Sequence, residues 1–291
     1  MKNLTGVITA LITPFKNGEV DFESLNSLIR AQVDQGIKAL VINGTTAESP
    51  TLDWSEVEKI FNQVRQLFPD LVLILGTGSN STKKAVELTR KAKDLGADAA
   101  LSVVPYYNKP TQEGMEAHFT EIAKSADIPI LLYNVPGRTV ASLNLETVIK
   151  LSKIKNIVGI KEASGDPVLC KNIKESTENF VVLSGDDDTY LQSALLGADG
   201  VISVISHILP KQFIDWTGRA VSGDESILTE YKKAASLCDL LFKEPNPTPT
   251  KACLKMMGLI SSDELRLPLM SCSEALANEL SKELKSLEVI K

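Results

Sequence analysis

The sequence predicts an α/β fold, namely a (β/α)8 TIM barrel followed by a small C-terminal helical domain. Three observations predict it: short β-branched runs alternate with longer amphipathic segments, the strand-like runs number eight, and the strand signal stops near residue 221. An open doubly wound sheet is the main competing architecture, and the count of eight favours the barrel. We expect the barrel over residues 1–223 and the helical domain over residues 224–291.

Each predicted strand is a short apolar run. The eight runs cover residues 6–12, 39–42, 72–75, 99–104, 130–133, 157–161, 181–184 and 201–204. Between them, residues 22–35, 55–68, 82–95 and 112–125 repeat apolar side chains at the three- and four-residue spacing of one helix face. Gly36, Gly96 and Gly197 precede strands where a left-handed residue would end a helix. Residues 224–291 are predicted to be helical, with breaks at EPNPTPT and near LRLPL.

The composition is typical of a globular protein that acts on small molecules. Hydrophobic residues make up 43% of the chain and the net charge is -6, which argues against nucleic acid as a partner. No apolar run approaches the roughly 18 to 20 residues needed to span a bilayer, and LTGVITALITPF is predicted to be a strand rather than a signal peptide. We expect a cytoplasmic protein without a membrane partner.

Cysteine and histidine usage does not favour a metal site or a cofactor. Four cysteines are scattered through the C-terminal half without a CxxC pair, and we expect them to be reduced thiols. His118 and His207 are the two histidines, so neither a zinc site nor a Ser-His-Asp triad is well supported.

Polar residues cluster where the predicted strands end. The sequences that follow the second, fourth, fifth, sixth and seventh strands are NGTTAES, PYYNKP, YNVPGRT, KEASGD and SGDDDT. Because a (β/α)8 barrel carries its chemistry at the C-terminal ends of its strands, these loops predict one functional site.

Lys161 stands at the end of an otherwise apolar run, NIVGIKEASGD. Since side chains alternate along a strand, Gly159 and Lys161 are expected to face the barrel interior, while Val158 and Ile160 pack on the helices. A desolvated lysine has a lowered pKa, and its unprotonated amine can attack a carbonyl. The alternative is a lysine that reaches solvent or pairs with Glu162.

Other loops offer groups that suit a small carboxylate. In NGTTAES, two threonine hydroxyls and several backbone amides could surround an anion, although a helix N-cap ahead of Ser55 is an alternative. By strand alternation Tyr133 points inward with Leu131, where its hydroxyl could relay protons. The same end of the barrel is expected to carry Tyr106, Tyr107 and Arg138. The guanidinium of Arg138 could hold a carboxylate through two parallel hydrogen bonds. The alternatives are that the tyrosines only pack within their loops and that Arg138 forms a surface salt bridge.

Taken together, these motifs resemble one known family. They are VITALITPF, GTTAES, GTGSNST, PYYNKPTQEG, YNVPGRT, GIKEASGD, LSGDDD and EPNPTPTK. Over essentially the whole chain the sequence resembles the dihydrodipicolinate synthase family of pyruvate-dependent class I aldolases and lyases. The resemblance implies that Lys161 forms a Schiff base with pyruvate, and that the enamine attacks L-aspartate 4-semialdehyde. The implied product is 4-hydroxy-tetrahydrodipicolinate, on the diaminopimelate route to lysine.

The resemblance also implies residue roles. Tyr133, Thr45 and Tyr107 match the proton relay, with Tyr107 reaching across from a neighbouring subunit of a homotetramer built as a dimer of dimers. Thr45 and Thr46 match the residues that hold the pyruvate carboxylate, and Arg138 matches the anchor of the semialdehyde carboxylate. The backbone of the pocket floor matches Gly185 and Ile202.

Two departures from the family pattern carry predictions. Ala47 replaces a glycine in GTTAE, so the loop must avoid backbone conformations that only glycine readily adopts. Lysine-inhibited members use histidines and a glutamate in an allosteric pocket at the tight dimer interface. The matching positions here are Trp54, Val57 and Lys84, although Ser49, Asn80 and Tyr106 are kept. Because Lys84 would repel a lysine ligand, we expect weak or absent inhibition by lysine.

Two alternative functions remain open from the sequence. One is a related activity, such as that of N-acetylneuraminate lyase or a 2-keto-3-deoxy-sugar-acid aldolase, on long polyhydroxylated substrates. Arg138 and the threonine pair favour a short carboxylate substrate instead. The other is a catalytically silent barrel that binds a metabolite and regulates a partner, which would need no activated amine.

Overall fold

A computed structural model describes residues 3–291, and its strands form a closed barrel. The strands of this part of the chain are β1 (Gly6–Ala10), β2 (Phe15–Lys16), β3 (Glu19–Val20), β4 (Ala39–Ile42), β5 (Val72–Gly76), β6 (Ala99–Val103), β7 (Ile130–Asn134), β8 (Ile157–Glu162), β9 (Val181–Ser184) and β10 (Gly200–Ser203). All but β2 and β3 are parallel, and they close in the order β1-β10-β9-β8-β7-β6-β5-β4. β2 and β3 pair as an antiparallel ribbon.

Helices lie between the barrel strands and continue after the last one. Those described are α1 (Phe22–Asp34), α2 (Trp54–Leu67), α3 (Thr82–Asp94), α4 (Gln112–Ser125), α5 (Pro136–Thr139), α6 (Leu145–Ser152), α7 (Pro167–Ser176), α8 (Tyr190–Leu195), α9 (Pro210–Val221), α10 (Ile227–Phe242), α11 (Thr248–Met256) and α12 (Glu274–Ser286). The predicted (β/α)8 barrel with a helical C-terminal part is confirmed. The division at residues 223 and 224 stays a prediction.

The predicted helix ends agree with the backbone. Gly36, Gly96 and Gly197 have φ of 102°, 80° and 104°, which is the conformation expected after a helix. The break at EPNPTPT is confirmed only in part, because α11 already begins at Thr248 inside that motif. Proline is tolerated in the first turn of a helix, where its missing N–H has no intrahelical partner. The LRLPL segment lies between α11 and α12, as predicted.

The barrel interior is filled by alternate residues of the strands, including Ile8, Val41, Ile74 and Leu101. A second apolar layer lies between the strands and the surrounding helices, and it includes Ile160. This alternation is why the last residues of the strands can aim polar side chains into the barrel mouth.

One orientation was predicted wrongly. Val158 packs in the barrel interior rather than on the helices. The register between β7 and β8 shifts at this point, because Ile130 pairs with Ile157 while Leu131 pairs with Gly159. The extra residue interrupts the simple two-residue alternation, and regular alternation resumes toward the end of β8.

Both histidines have structural contacts. His207 Nε2 accepts a hydrogen bond from the Ile12 backbone N–H at 3.2 Å, and its Nδ1 lies 2.9 Å from the Val204 carbonyl oxygen. Burial lowers the pKa of His207 to about 4, so its ring is neutral at pH 7. His118 Nδ1 lies 2.9 Å from Thr82 Oγ1.

Residues 3–291 contain no helix whose length and apolar character would let it cross a membrane.

Candidate active site

A cavity of about 60 Å3 opens at the C-terminal ends of the barrel strands. It brings together residues from the loops that the sequence singled out. Among its lining residues are Thr45, Thr46, Tyr133, Arg138, Lys161, Gly185, Ile202 and Asn246. Seven of these eight were predicted as site residues, and Asn246 was not.

Lys161 and Tyr133 are the most closely associated pair in this cavity. They sit opposite each other in the register of β8 and β7, one residue before the end of each strand. Lys161 is 8% exposed and Tyr133 is 7% exposed, and the Lys161 Nζ lies 4.4 Å from the centroid of the Tyr133 ring. The predicted inward orientation of both side chains is therefore confirmed.

Gly185 leaves the space that the Lys161 side chain occupies. A Cβ atom at position 185 would lie 2.7 Å from the Lys161 Cε and 2.6 Å from the Ala163 Cβ. Contacts this short force the lysine out of place, so any larger residue at 185 would displace the amine.

The alternative pairing of Lys161 with Glu162 does not occur. Glu162 Oε2 accepts a hydrogen bond from Asn134 Nδ2 at 2.8 Å, and its Oε1 accepts one from the Ser164 backbone N–H at 2.9 Å. Burial raises the pKa of Glu162 to about 7, against the effect of these donors. The Glu162 carboxylate therefore accepts hydrogen bonds from Asn134 and from the loop after β8, and it does not pair with Lys161.

Two further acids, Asp186 and Asp187, follow β9, and Asp186 is one of the residues that line the cavity. Asp186 Oδ2 accepts from the Gly165 backbone N–H at 2.8 Å, while Asp187 Oδ2 accepts from those of Val204 and Ile205 at 2.8 and 2.9 Å. Burial raises the pKa of Asp187 to about 6. These carboxylates fix the loops after β8 and β10 around the amine.

The threonine loop, residues 43–51, contains two consecutive 3-10 turns, Thr45–Ala47 and Ser49–Thr51. Ala47 does not take a left-handed conformation, as predicted, and the loop residues with positive φ are Asn43 (59°) and Glu48 (57°). The cap of α2 is Asp53, which forms a capping box with Glu56. The alternative that the threonines serve as a helix cap is therefore wrong.

Arg138 and Tyr107, unlike Lys161, are exposed. Arg138 is exposed on the short helix α5 and lines the rim of the cavity. Tyr107 is 87% exposed and does not line the cavity within one chain. The structure of one chain therefore does not bring Tyr107 together with the other predicted relay residues.

A second cavity, of about 810 Å3, adjoins the first and shares Thr45, Tyr133 and Arg138 with it. The predicted allosteric positions that line it are Ser49, Trp54, Val57, Lys84 and Tyr106. Asn80 is not one of its lining residues, but its carbonyl oxygen accepts a hydrogen bond from Asn108 Nδ2 at 2.9 Å.

The C-terminal helices contribute side chains that sequence reasoning missed. Asn246 Nδ2 donates to Thr46 Oγ1 at 2.9 Å, and Lys251 forms a buried ion pair with Glu48. Both belong to the segment EPNPTPTK, which was interpreted from its prolines only as a break between helices. An asparagine and a lysine within this proline-rich segment were the available signal.

Residues 3–291 hold no group of three or more His, Cys, Asp or Glu side chains suited to a metal ion.

Comparisons with known proteins point to one family. The Dihydrodipicolinate synthetase family matches residues 3–287. The chain is 47% identical to the 4-hydroxy-tetrahydrodipicolinate synthase of Bdellovibrio bacteriovorus, over 100% of both chains. It is 45% identical to that of Pseudomonas syringae pv. syringae, over 99% of both chains.

Solved structures extend the likeness to three dimensions. A chloride-inhibited dihydrodipicolinate synthase from Acinetobacter baumannii, complexed with pyruvate, is similar with a TM-score of 0.96 and 42% identity, covering 99% of this chain and 100% of that one. An enzyme of the same kind from Cyanidioschyzon merolae, with lysine bound, has a TM-score of 0.94 and 38% identity, covering 98% and 99%. The protein therefore belongs to the dihydrodipicolinate synthetase family.

Proposed function

We propose that the protein is a lyase that condenses pyruvate with L-aspartate 4-semialdehyde to give 4-hydroxy-tetrahydrodipicolinate, in the diaminopimelate route to lysine. One observation carries the proposal: a buried lysine amine lies against a tyrosine ring in a cavity that is also lined by two threonines. The names of the relatives and the pyruvate in the Acinetobacter baumannii structure support the same reaction.

The chemistry follows from the amine. Unprotonated Lys161 attacks the keto carbon of pyruvate to give a carbinolamine, and addition of one proton with loss of water leaves a protonated imine. Loss of a proton from the methyl carbon gives an enamine, whose carbon bonds to the aldehyde carbon of the second substrate. The amine of that substrate then displaces Lys161 from the imine carbon, which closes the ring and frees the lysine. Each step moves a proton, and Tyr133 and Thr45 are positioned near the cavity to carry it.

The carboxylate of pyruvate is assigned to the threonine loop. Thr45 and Thr46 line the same cavity as Lys161, and hydroxyls that donate to a carboxylate form charge-assisted hydrogen bonds. Gly185 and Ile202 also line this cavity. A small keto acid would thus be held at one end by hydroxyls and at the other by the imine.

Arg138 is assigned to the carboxylate of the semialdehyde, which gives a testable prediction. Arg138→Ala is expected to raise the KM for the semialdehyde about tenfold or more, because it removes a charge-assisted bond. The pyruvate concentration for half-maximal adduct formation should change less than about threefold. Arg138→Lys keeps the charge but cannot form a bidentate hydrogen bond with the carboxylate, so an intermediate KM for the semialdehyde is expected. Equal effects of Arg138→Ala on both substrates would contradict this assignment.

We further propose a homotetramer, built as a dimer of dimers, in which Tyr107 completes the relay of a neighbouring subunit. The 87% exposure of Tyr107 supports this proposal, because a large aromatic side chain in solvent is available to a second chain.

A cytoplasmic location is proposed as well. The four cysteines are all unpaired, which is typical of a reducing compartment.

Lysine is expected to inhibit the enzyme weakly or not at all. Lys84 lines the larger cavity, where its ammonium would repel that of a bound lysine. An assay at saturating substrates should show no half-inhibition below millimolar lysine. Lys84→Glu is expected to increase the sensitivity, while Lys93→Glu, an exposed position on the same helix, is the charge-matched control. Half-inhibition of the unchanged protein at submillimolar lysine would contradict the expectation.

The experiment that tests the proposed reaction is reductive trapping. Borohydride added with pyruvate should fix an adduct on Lys161, located by peptide mass spectrometry, and turnover should require aspartate semialdehyde. Cleavage of N-acetylneuraminate at a higher kcat/KM would favour the related lyase instead. No adduct in the presence of pyruvate would support the catalytically silent barrel.

A further inference from the structure

The threonine loop is anchored from outside the barrel by a buried ion pair. Lys251 on α11 donates to Glu48 Oε1 at 2.5 Å, and the two side chains are 0% and 1% exposed. Lys251 also donates to the Glu264 carbonyl oxygen at 2.8 Å, while Glu48 Oε2 accepts from the Arg266 backbone N–H at 3.0 Å. Both charges are therefore fully desolvated yet partnered on several sides, which is the condition under which a buried pair is tolerated.

Glu48 links this ion pair to the backbone of the threonines. Its φ and ψ of 57° and 40° are left-handed, a conformation that is unfavourable for a residue with a Cβ. Such a conformation persists where surrounding contacts hold it, and here the contacts come from Lys251 and Arg266. The Glu48 N–H closes the preceding turn on the Thr45 carbonyl oxygen at 3.0 Å, so the position of residue 48 fixes that turn.

Asn246 acts on the same loop from the cavity side. Its Nδ2 donates to Thr46 Oγ1 at 2.9 Å, and both residues are buried at the cavity wall. A hydroxyl that already accepts one hydrogen bond keeps its own hydrogen free to donate. The asparagine thus directs the Thr46 O–H toward an acceptor other than itself, and a ligand carboxylate in the cavity is such an acceptor.

We propose that Asn246 and Lys251 are positioning residues that hold the threonine loop in the geometry that binds the substrate carboxylate. The inference rests on the proposed function, because it takes Thr45 and Thr46 as the carboxylate site. It assigns to the C-terminal helices a role in affinity for the keto acid. Neither residue touches the reacting carbon, and each acts through the loop.

The test measures affinity for pyruvate separately from folding. Lys251→Met and Asn246→Ala are expected to raise the pyruvate concentration for half-maximal borohydride-trapped adduct about tenfold. The adduct yield at saturating pyruvate should remain within about twofold of the unchanged protein. Lys255→Met is the matched control, since Lys255 lies one turn farther along α11 and forms an exposed pair with Asp263. Lys255→Met should leave the pyruvate concentration for half-maximal adduct unchanged.

The outcomes separate this inference from the proposed function. If the unchanged protein forms no adduct on Lys161, the proposed function fails and the inference fails with it. A different result would overturn the inference alone. In that case the unchanged protein forms the adduct, and the folded variants need a pyruvate concentration for half-maximal adduct that is within twofold of the concentration the unchanged protein needs. Should Lys251→Met fail to fold, Asn246→Ala decides, because it removes only neutral hydrogen bonds, one donated to Thr46 and one accepted from Thr250, and leaves the ion pair intact.

Discussion

Replacement of Lys161 by alanine is expected to abolish the trapped pyruvate adduct and to lower kcat/KM by at least about 10⁴-fold. Alanine leaves the threonine loop and Arg138 in place, so the substrates can still bind. It removes the one group that converts the keto carbon into an imine, and without the imine the methyl carbon has no route to an enamine. The measurement combines steady-state turnover with peptide mass spectrometry after borohydride treatment.

Two further variants isolate the role of the amine. Lys161→Arg places a guanidinium near Tyr133, but a guanidinium is not a nucleophile at neutral pH, so this variant should be as inactive as Lys161→Ala. Lys155→Ala removes an exposed lysine six residues earlier and should leave both adduct and turnover unchanged. Retention of a tenth or more of the activity in Lys161→Ala would contradict the mechanism.

A second buried lysine, Lys251, is an alternative position for the adduct, so the position of the adduct tests whether Lys161 is the reactive amine. Burial lowers the pKa of Lys251 to about 8, although the contacts with Glu48 act in the opposite direction. Its ammonium is nevertheless enclosed by Glu48, the Glu264 carbonyl and the Phe15 ring, and the side chain is 0% exposed. Lys161 lines the cavity at the ends of the barrel strands, and Lys251 is not a lining residue of that cavity or of the larger one beside it. Because only Lys161 is accessible from the proposed pyruvate site, we expect the adduct on Lys161 and not on Lys251.

The core of the site could be predicted because it follows local rules. The two-residue alternation of a strand and the carboxyl-end rule for barrels were enough to orient Lys161 and Tyr133 toward one mouth. The same alternation failed at Val158, because a register shift between two strands leaves no signal in either strand alone. The need for glycine at 185 could not be derived from the sequence either, since it depends on where the Lys161 side chain passes.

The contacts that the C-terminal segment makes with the threonine loop could not be predicted from local sequence patterns, for a different reason. Glu48 and Lys251 are 203 positions apart, and Asn246 and Thr46 are 200 apart. Periodicity describes which face of an element is buried, but not which distant element covers it. A lysine in a helical tail is ordinarily exposed, so only the fold itself identifies Lys251 as a buried partner.

Replacement of Lys251 by methionine is expected to lower the free energy of unfolding by about 3–5 kcal/mol, because it leaves the Glu48 carboxylate buried without its cation. The double variant Glu48→Gln/Lys251→Met removes that uncompensated charge while its amide oxygen can still accept from the Arg266 backbone N–H. We therefore expect the double variant to be more stable than Lys251→Met alone, with a coupling energy of about 2 kcal/mol or more. Urea unfolding at pH 7 and one fixed protein concentration would measure both quantities.

The exposed pair on the same helix supplies the comparison. Lys255 and Asp263 lie 2.8 Å apart, with side chains that are 52% and 28% exposed. Because water screens these charges, Lys255→Met should change the free energy of unfolding by no more than about 1 kcal/mol. Equal losses for Lys251→Met and Lys255→Met would mean that the buried pair contributes nothing beyond an ordinary surface contact. A larger loss at Lys251, relieved by the second substitution at Glu48, would show that the two charges depend on each other across the junction between the barrel and its C-terminal helices.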